Sequence, residues 1–461
     1  MKKLFSVLLA FIPILSFPQN NWVKASPSDC AWKYVGNRGF SPGIYESLSL
    51  AFSPSGFPYV AFMDYAADSK ATVMKFDGNN WTYVGTEGFS AGPSNDESIA
   101  FSPVDNMPYV AYCDDAFSQK TVVKKFDGTD WVYVGIPGFS MGWSGFTSLA
   151  FNPSDQLPYL AFNDFGSSTA PSVMKFDGNN WVYVGNSGLS SGANYTSLAF
   201  NQAGQPYVAY SDVGNTFKAS VITYNGTNWV YVGNAGFSSS NVNFTNLAIS
   251  STGQPYVAFM DLAHTNKISV MKFDGSNWVY VGAAGFSNGS VGYTNIAFSP
   301  TGEPYVAFYD GGYSGKARVM KYNGTDWVDV GPAGFTENVA DHLCFAVNPS
   351  DGAPYVAFED GGQGNKVSVM KYDSVLVGMT KQPSLNLSLY PNPATDKIIL
   401  EISEKPIECS LTIVNVEGKE LLNRKLTETK TTIDISLWPA GVYILKMKGD
   451  TGSQFRKIFK Q

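Results

Sequence analysis

A unit of about 50 residues occurs seven times in this sequence, and this period constrains the fold more than any other feature. One tryptophan in the same local context marks each unit: Trp32, Trp81, Trp131, Trp181, Trp229, Trp278 and Trp327. A second word, PYVAF or a close variant, begins at Pro58, Pro108, Pro158, Pro206, Pro255, Pro304 and Pro354. A period near 50 residues built from strand-like words is typical of β-propeller blades.

Each unit contains four predicted strands. In the second full unit they are ESIAFSP, PYVAYCD, TVVKKFDG and DWVYVG, which are short, rich in β-branched or aromatic residues and bounded by turn formers. Asp-Gly or Asn-Gly stands before six of the seven tryptophans and indicates a tight hairpin between the third and fourth strands. The chain is therefore predicted to be all-β, with a seven-bladed propeller of four-stranded blades whose first strand lies innermost.

The two ends of the repeat region are complementary. The chain opens with a lone outer strand, AWKYVG (31–36), whereas the last unit, KVSVMKYDSVLVG (366–378), lacks its tryptophan. We therefore expect the N-terminal strand to complete the last blade, which removes a free sheet edge and closes the ring. The predicted propeller covers residues 31–378.

The N-terminus and the composition indicate export. Residues 1–19 combine two lysines with a short apolar core, as a secretory signal does, and no other stretch has the length of a transmembrane span. The net charge of −7 argues against a nucleic-acid partner, which would require a basic surface. The four cysteines are scattered without a CxxC pair, so no metal site is predicted.

After a linker at 379–386, residues 387–461 have a different pattern. Alternating strands with an EGK turn and a PAG turn predict a small immunoglobulin-like β-sandwich. On the residues alone, an ordinary accessory sandwich is an alternative to a more specific role.

Four words in this segment carry a resemblance. They are YPNPATD (390–396), NVEGKEL (415–421), DISLWPAGVYILKM (434–447) and the tail RKIFKQ (456–461). In this order they resemble the type A C-terminal sorting domain of the type IX secretion system. The resemblance implies that the type IX machinery is a partner of 387–461. It also implies that the protein is secreted, extracellular or attached to the outer cell surface.

An aspartate recurs at one blade position, at the end of the second predicted strand: Asp64, Asp114, Asp164, Asp212, Asp261, Asp310 and Asp360. Seven carboxylates on one face of the propeller are a candidate binding site for a cation or for sugar hydroxyls. The favoured interpretation is structural, since Asp at a strand end accepts backbone N–H bonds from the following turn. No cofactor is predicted, and a divalent cation on this ring has no supporting motif.

The loops after this aspartate differ between blades, and variable loops on a fixed scaffold are where specificity usually resides. The ligand-binding candidates are their larger side chains together with one extra tryptophan in the link SMGWSGF: Tyr65, Phe117, Phe165, His264, Tyr313 and Trp143. An exposed tryptophan can stack on a sugar ring. Packing of Trp143 on a neighbouring blade is an equal alternative.

The leading functional hypothesis is a secreted or cell-surface ligand-binding propeller, lectin-like or adhesin-like, with a glycan or a protein as ligand. A carbohydrate-active hydrolase or lyase with carboxylates at the propeller channel, and a structural surface component, are the alternatives. No catalytic residue is predicted, because the only histidines, His264 and His342, fall in different blades and GxSxG is absent. Convergent acidic side chains at the channel mouth without lysine partners would favour the enzyme.

Overall fold

The computed structural model describes residues 31–43, 45–373, 387–402, 409–415, 419–449 and 452–461. The predicted signal peptide (1–19) and linker (379–386) lie outside these residues. The described chain forms two compact units, a propeller and a C-terminal β-sandwich. Its helices are single 3₁₀ turns of three residues, and none could cross a membrane.

The propeller consists of seven four-stranded antiparallel sheets, as the repeat predicts. The innermost strands are β2 (Tyr45–Phe52), β6 (Ser94–Phe101), β10 (Ser144–Phe151), β14 (Ala193–Phe200), β18 (Val242–Ile249), β22 (Val291–Phe298) and β26 (Ala340–Val347). The second strands are β3 (Pro58–Asp64), β7 (Pro108–Asp114), β11 (Pro158–Asp164), β15 (Pro206–Asp212), β19 (Pro255–Asp261), β23 (Pro304–Asp310) and β27 (Pro354–Asp360). Each second strand runs into a 3₁₀ turn: Tyr65–Ala67, Asp115–Phe117, Phe165–Ser167, Val213–Asn215, Leu262–His264, Gly311–Tyr313 and Gly361–Gln363.

In six of the seven blades the outer half is a hairpin, and in the seventh the outer strand comes from the start of the chain. The third strands are β4 (Lys70–Phe76), β8 (Lys120–Phe126), β12 (Ala170–Phe176), β16 (Lys218–Tyr224), β20 (Lys267–Phe273), β24 (Lys316–Tyr322) and β28 (Lys366–Asp373). The outer strands are β5 (Trp81–Tyr83), β9 (Trp131–Tyr133), β13 (Trp181–Tyr183), β17 (Trp229–Tyr231), β21 (Trp278–Tyr280), β25 (Trp327–Asp329) and, from the start of the chain, β1 (Ala31–Tyr34).

The N-terminal strand closes the ring, as predicted. Strand β1 pairs antiparallel with β28, so that Trp32 lies opposite Tyr372, and the seventh blade has the order β1-β28-β27-β26. The innermost strands of the first and last blades are also in contact, because β2 packs against β26. The seventh blade thereby has four strands like the other six, and the ring is closed.

The core lies between the blades. Seven buried clusters each combine side chains from two adjacent blades, such as Val60 and Phe62 of the first blade with Tyr355 and Val369 of the seventh. The repeated tryptophan links blades as well. The indole Nε1 of Trp81 donates a 2.7 Å hydrogen bond to the backbone carbonyl of Val35, which belongs to the adjacent seventh blade. The third strand, the tight turn and the tryptophan that follows it thus belong to the scaffold.

The C-terminal unit packs a three-stranded sheet and a four-stranded sheet around one core. The strands are β29 (Leu387–Tyr390), β30 (Lys397–Ile402), β31 (Cys409–Asn415), β32 (Glu420–Leu426), β33 (Lys430–Asp434), β34 (Gly441–Gly449) and β35 (Gly452–Lys460). The sheet orders are β29-β30-β33 and β32-β31-β34-β35. Ile398, Leu400, Leu411, Ile413 and Leu445 are fully buried between them, which is the pattern of a sandwich.

Candidate functional site

Each innermost strand carries an irregularity near its start, where its register with the second strand shifts. At this point one residue per blade adopts a left-handed backbone, with φ between 43° and 56°: Ser47, Asp96, Phe146, Tyr195, Phe244, Tyr293 and His342. We call these seven residues the axial ring. A left-handed conformation costs a residue other than glycine about 1–2 kcal/mol, and such strain is concentrated at functional sites.

The axial ring surrounds a pocket on the propeller axis with a cavity volume of about 300 Å³. All seven innermost strands contribute to its wall. Besides the axial ring, the lining consists of Leu48, Glu97, Thr147, Thr196, Thr245, Thr294, Asn295 and Leu343. Since the innermost strands start where the second strands end, this pocket opens on the face that carries the 3₁₀ turns.

One side of the pocket is aromatic. Successive blades contribute Phe146, Tyr195, Phe244, Tyr293 and His342, which we call the aromatic arc. Neighbouring ring centroids are 4.9, 5.0, 5.1 and 5.0 Å apart, and the ring planes are inclined by 53°, 44°, 45° and 43°. These angles are close to one-seventh of a turn, about 51°, so each ring has nearly the same orientation within its own blade.

A set of threonines holds the arc in place. The residue after each ring position in the third to sixth blades is Thr, and its hydroxyl donates to the carbonyl of the preceding blade's axial residue. Thr245, for example, donates to the Tyr195 carbonyl at 2.6 Å. These bonds satisfy a backbone group that the irregular register leaves outside the regular sheet ladder.

The opposite side of the pocket is acidic. Glu97 is 6% exposed; Ser94 donates a hydrogen bond to its Oε1, while its Oε2 has no hydrogen-bond partner within the described residues. The Ser47 hydroxyl lies nearby and accepts the Asp96 N–H at 2.7 Å. Burial raises the pKa of Glu97 to about 8 and also raises the pKa of Asp96. The described lining contains no lysine or arginine.

A third group lies at the edge of the pocket in the seventh blade. His342 Nδ1 is 2.7 Å from Glu359 Oε2, and this hydrogen bond is the main reason that the pKa of His342 is raised. Asp341 lies near the hydroxyl of Tyr293, whose pKa is raised first by burial and then by this carboxylate. The donor atoms of Asp341, His342 and Glu359 lie within 4.8 Å of one another. One imidazole and two carboxylates could ligate a divalent cation such as Zn²⁺ or Mn²⁺.

The recurrent aspartates lie away from this pocket's lining, each buried at the end of its second strand. Six of the seven accept the backbone N–H two residues later and so begin the 3₁₀ turn: Asp64, Asp114, Asp164, Asp261, Asp310 and Asp360. Asp212 instead accepts from the side chains of Asn215 and Ser220. Arg38 pairs with Asp360 and Arg318 with Asp310. An ion-binding role for these aspartates stays a prediction.

Of the six loop candidates, the structure brings two into direct contact. Trp143 is 50% exposed and stacks on Phe165, with ring centroids 3.3 Å apart. Packing on its neighbour and partial exposure therefore occur together. A sugar could still reach the exposed half of the indole.

The other four candidates lie in four different blades. Tyr65 lies near Glu46, the residue before Ser47 of the axial ring, and this carboxylate raises the pKa of Tyr65. Phe117 packs against Tyr133, and His264 is hydrogen-bonded to Asp261. The hydroxyl of Tyr313 accepts a hydrogen bond from the Asn288 amide. Ligand binding by these loops stays a prediction.

Sequence reasoning did not identify the axial ring as a site. Its members lie just before the predicted innermost strands, such as ESIAFSP after Asp96, and show no glycine or other sign of a left-handed backbone. The available signal was variation between repeats. Aligned on the innermost strand, this column reads Ser, Asp, Phe, Tyr, Phe, Tyr and His, whereas two residues later it reads Ser four times, Asn twice and Cys once.

The comparison with protein families defines the C-terminal unit. Residues 388–461 match the family described as a secretion system C-terminal sorting domain. This agrees with the resemblance of the four words to type IX sorting domains. The chain is thus an exported β-propeller protein with a sorting tail, destined for the cell surface or the extracellular space. No curated protein sequence gives a match.

Solved structures similar to this chain are distant in sequence. PorZ, described as an essential bacterial surface component of the type IX secretion system of Porphyromonas gingivalis, is 15% identical with a TM-score of 0.46. That similarity covers 90% of this chain but only 59% of PorZ. The SapL1 lectin in complex with alpha methyl fucoside is 14% identical, with a TM-score of 0.45 and coverage of 64% and 99%. An ulvan lyase of polysaccharide lyase family PL25 is 10% identical, with a TM-score of 0.49 and coverage of 76% and 99%.

Proposed function

We propose that this exported propeller is a glycan-binding protein and that the axial pocket is its binding site. The observation that carries the proposal is the axial ring, in which seven strained positions hold variable and mostly aromatic or charged side chains. A residue that serves only the scaffold tends to be the same in every blade. Strain at a position that varies between otherwise similar blades is better explained by a ligand.

The lining has the chemistry that sugars require. The arc provides five aromatic rings in sequence, and such an apolar surface can pack against the C–H groups of a pyranose. Carboxylates, threonine hydroxyls and the Asn295 amide can bond sugar hydroxyls. A cavity of about 300 Å³ lies at the small end of ligand pockets, which suits one or two sugar units rather than a folded protein segment.

The proposal is tested by glycan-array binding of the purified full-length protein and of two variants that each lack one aromatic side chain. Tyr195→Ala removes a ring from the arc, and Trp143→Ala removes one from the exposed loops. We expect Tyr195→Ala to weaken binding to the recognised glycans about tenfold or more, since aromatic contacts contribute on the order of 1 kcal/mol beyond their buried area. Trp143→Ala should leave binding near the wild-type level.

The opposite result for the two variants would indicate that the glycan binds to the loops rather than to the axial pocket. Loss of binding in Trp143→Ala with normal binding in Tyr195→Ala would contradict an axial site and support the loop candidates. Binding to surface proteins but to no glycan would support an adhesin-like function instead. Binding to neither would favour a structural surface component.

One observation supports a second candidate, a glycoside-cleaving enzyme. Glu97 and Asp96 converge on the pocket without lysine or arginine in its described lining, and the raised pKa of Glu97 is the property of a general acid. The array is therefore followed by product analysis of each bound glycan. Turnover that is lost in Glu97→Gln while binding persists would establish the enzyme, and intact glycans after prolonged incubation would leave the binding function.

A further inference from the structure

The axial pocket has a deficit of positive charge. Asp96 and Glu97 form its acidic side, and Asp341 and Glu359 stand at its edge. The cationic group that faces them is the imidazole of His342, which is already bonded to Glu359. A carboxyl group that is buried without a positive partner costs free energy unless it holds a proton. Burial raises the pKa of Glu97 to about 8 for this reason.

Glu97 also has unused hydrogen-bonding capacity. The residue is more than nine-tenths buried and lines the pocket, and its Oε2 has no hydrogen-bond partner within the described chain. Buried polar atoms are nearly always satisfied, so an unpaired carboxylate oxygen in a pocket wall indicates a ligand that donates to it. A bound cation would satisfy this oxygen and favour the ionised carboxylate.

The aromatic arc determines which kind of cation fits. Metal ions require several oxygen, nitrogen or sulfur donors in a compact shell, whereas most of the wall opposite Glu97 consists of aromatic rings. The rings of the arc suit the hydrocarbon part of an organic ammonium compound, while Glu97 supplies a carboxylate that can pair with its ammonium group. A cavity of about 300 Å³ also exceeds what a lone metal ion occupies.

We infer that the glycan recognised at the axial pocket carries a protonated amine, as an amino sugar does, with the ammonium group placed between Glu97 and the aromatic arc. This inference rests on the proposed glycan-binding function and specifies its ligand class. The same acidic wall disfavours uronic acids and sulfated sugars, because their charges would face Asp96 and Glu97 without a cationic partner.

A matched pair of ligands tests the inference. Oligomers of β-1,4-linked glucosamine with free amines are compared with the same oligomers after full N-acetylation, and with oligogalacturonate as the anionic probe. Binding to the full-length protein is measured by isothermal titration calorimetry in buffer where the amines are protonated. We expect the free-amine oligomer to bind about tenfold more tightly than the acetylated one, and the anionic oligomer to bind most weakly.

Variants separate the pocket from the general negative charge of the protein. Glu97→Gln is nearly isosteric and should reduce the preference for the free amine to about twofold or less, and Asp96→Asn is the second variant if Glu97→Gln folds poorly. Asp130→Asn removes one exposed carboxylate on a hairpin turn and should leave the preference unchanged. Equal losses in Glu97→Gln and Asp130→Asn would show bulk attraction and overturn the inference.

The remaining outcomes are also decisive. Equal or tighter binding of the acetylated or anionic oligomer would overturn the amine assignment while leaving glycan binding intact. If the oligomers no longer bind when a metal chelator is present, and also fail to bind the Asp341→Asn variant, the site depends on a metal ion instead. A protein that binds none of the three oligomers and no glycan on the array would refute the proposed function itself.

Discussion

The left-handed backbone of the axial ring should be strained, and substitution by glycine relieves this strain in a way that the free energy of unfolding can measure. Tyr195 has φ of 56° and lies between Phe146 and Phe244 in the aromatic arc. We compare Tyr195→Ala with Tyr195→Gly, because both variants lack the ring and its contacts. Any difference between the two variants then reports the backbone conformation rather than side-chain packing.

The expected sign is the reverse of the usual one. In an ordinary strand, Gly is less stable than Ala by roughly 0.5–1 kcal/mol, because it loses more conformational freedom on folding. A left-handed position instead costs Ala about 1–2 kcal/mol that Gly does not pay. Tyr195→Gly should therefore unfold with a free energy about 0.5–1 kcal/mol higher than Tyr195→Ala. Over seven ring positions the stored strain is roughly 7–14 kcal/mol.

Urea denaturation followed by tryptophan fluorescence measures the difference, provided that the m-values of the variants agree. Ala199→Gly is the control, since Ala199 lies in the same strand β14, pairs regularly with Tyr207 and has no positive φ. This control should lose roughly 0.5–1 kcal/mol. If Tyr195→Gly is also less stable than Tyr195→Ala by that amount, the axial positions are not strained and the reasoning from strain to function fails.

Three further predictions concern charge and ring closure. Glu97→Gln should be more stable than wild type near pH 8 by a few kcal/mol and equal to it below about pH 4.5, because the raised pKa of Glu97 makes wild-type stability fall between those values. His342→Gln should be less stable than wild type below about pH 6.5, with the difference shrinking as pH rises through the raised pKa of His342. Trp32→Phe, which removes the 2.7 Å bond from Nε1 to the Val330 carbonyl, should lower the free energy of unfolding by about 1–3 kcal/mol.

The same stability measurements can contradict each of these three predictions. Parallel pH–stability curves for wild type and Glu97→Gln would show that the carboxyl is not held neutral by burial. A constant deficit for His342→Gln across this pH range would assign its effect to packing rather than to the bond with Glu359. An unchanged denaturation midpoint in Trp32→Phe would show that the indole hydrogen bond does not contribute to closure of the propeller.

The repeat made most of the fold predictable. Strand identity depends on local residue types and turn signals, and these recur in every unit, so seven copies of the same pattern support one assignment. The complementary ends then required β1 to join β28, because a missing outer strand and a lone strand can satisfy one another. The sorting tail was predictable because its words are local in sequence and match a known family.

The recurrent aspartates show a partial success of the same kind. A strand-end Asp was expected to accept backbone N–H groups of the next turn, and six of the seven do so. This contact is local, so the residue type and its position were sufficient. The pairing of Arg38 with Asp360 was not predictable in this way, because the two residues are 322 positions apart and meet only where the ring closes.

By itself, the sequence determined the number of blades, the order of strands, the closing strand and the export tail, all of which follow from local patterns repeated along the chain. The axial pocket was decided by the tertiary structure alone. Its residues are about 49 positions apart, and none is a glycine that would mark a left-handed backbone. Only closure of seven blades around one axis brings Glu97 opposite the aromatic arc, because a circular arrangement places every first strand next to the centre.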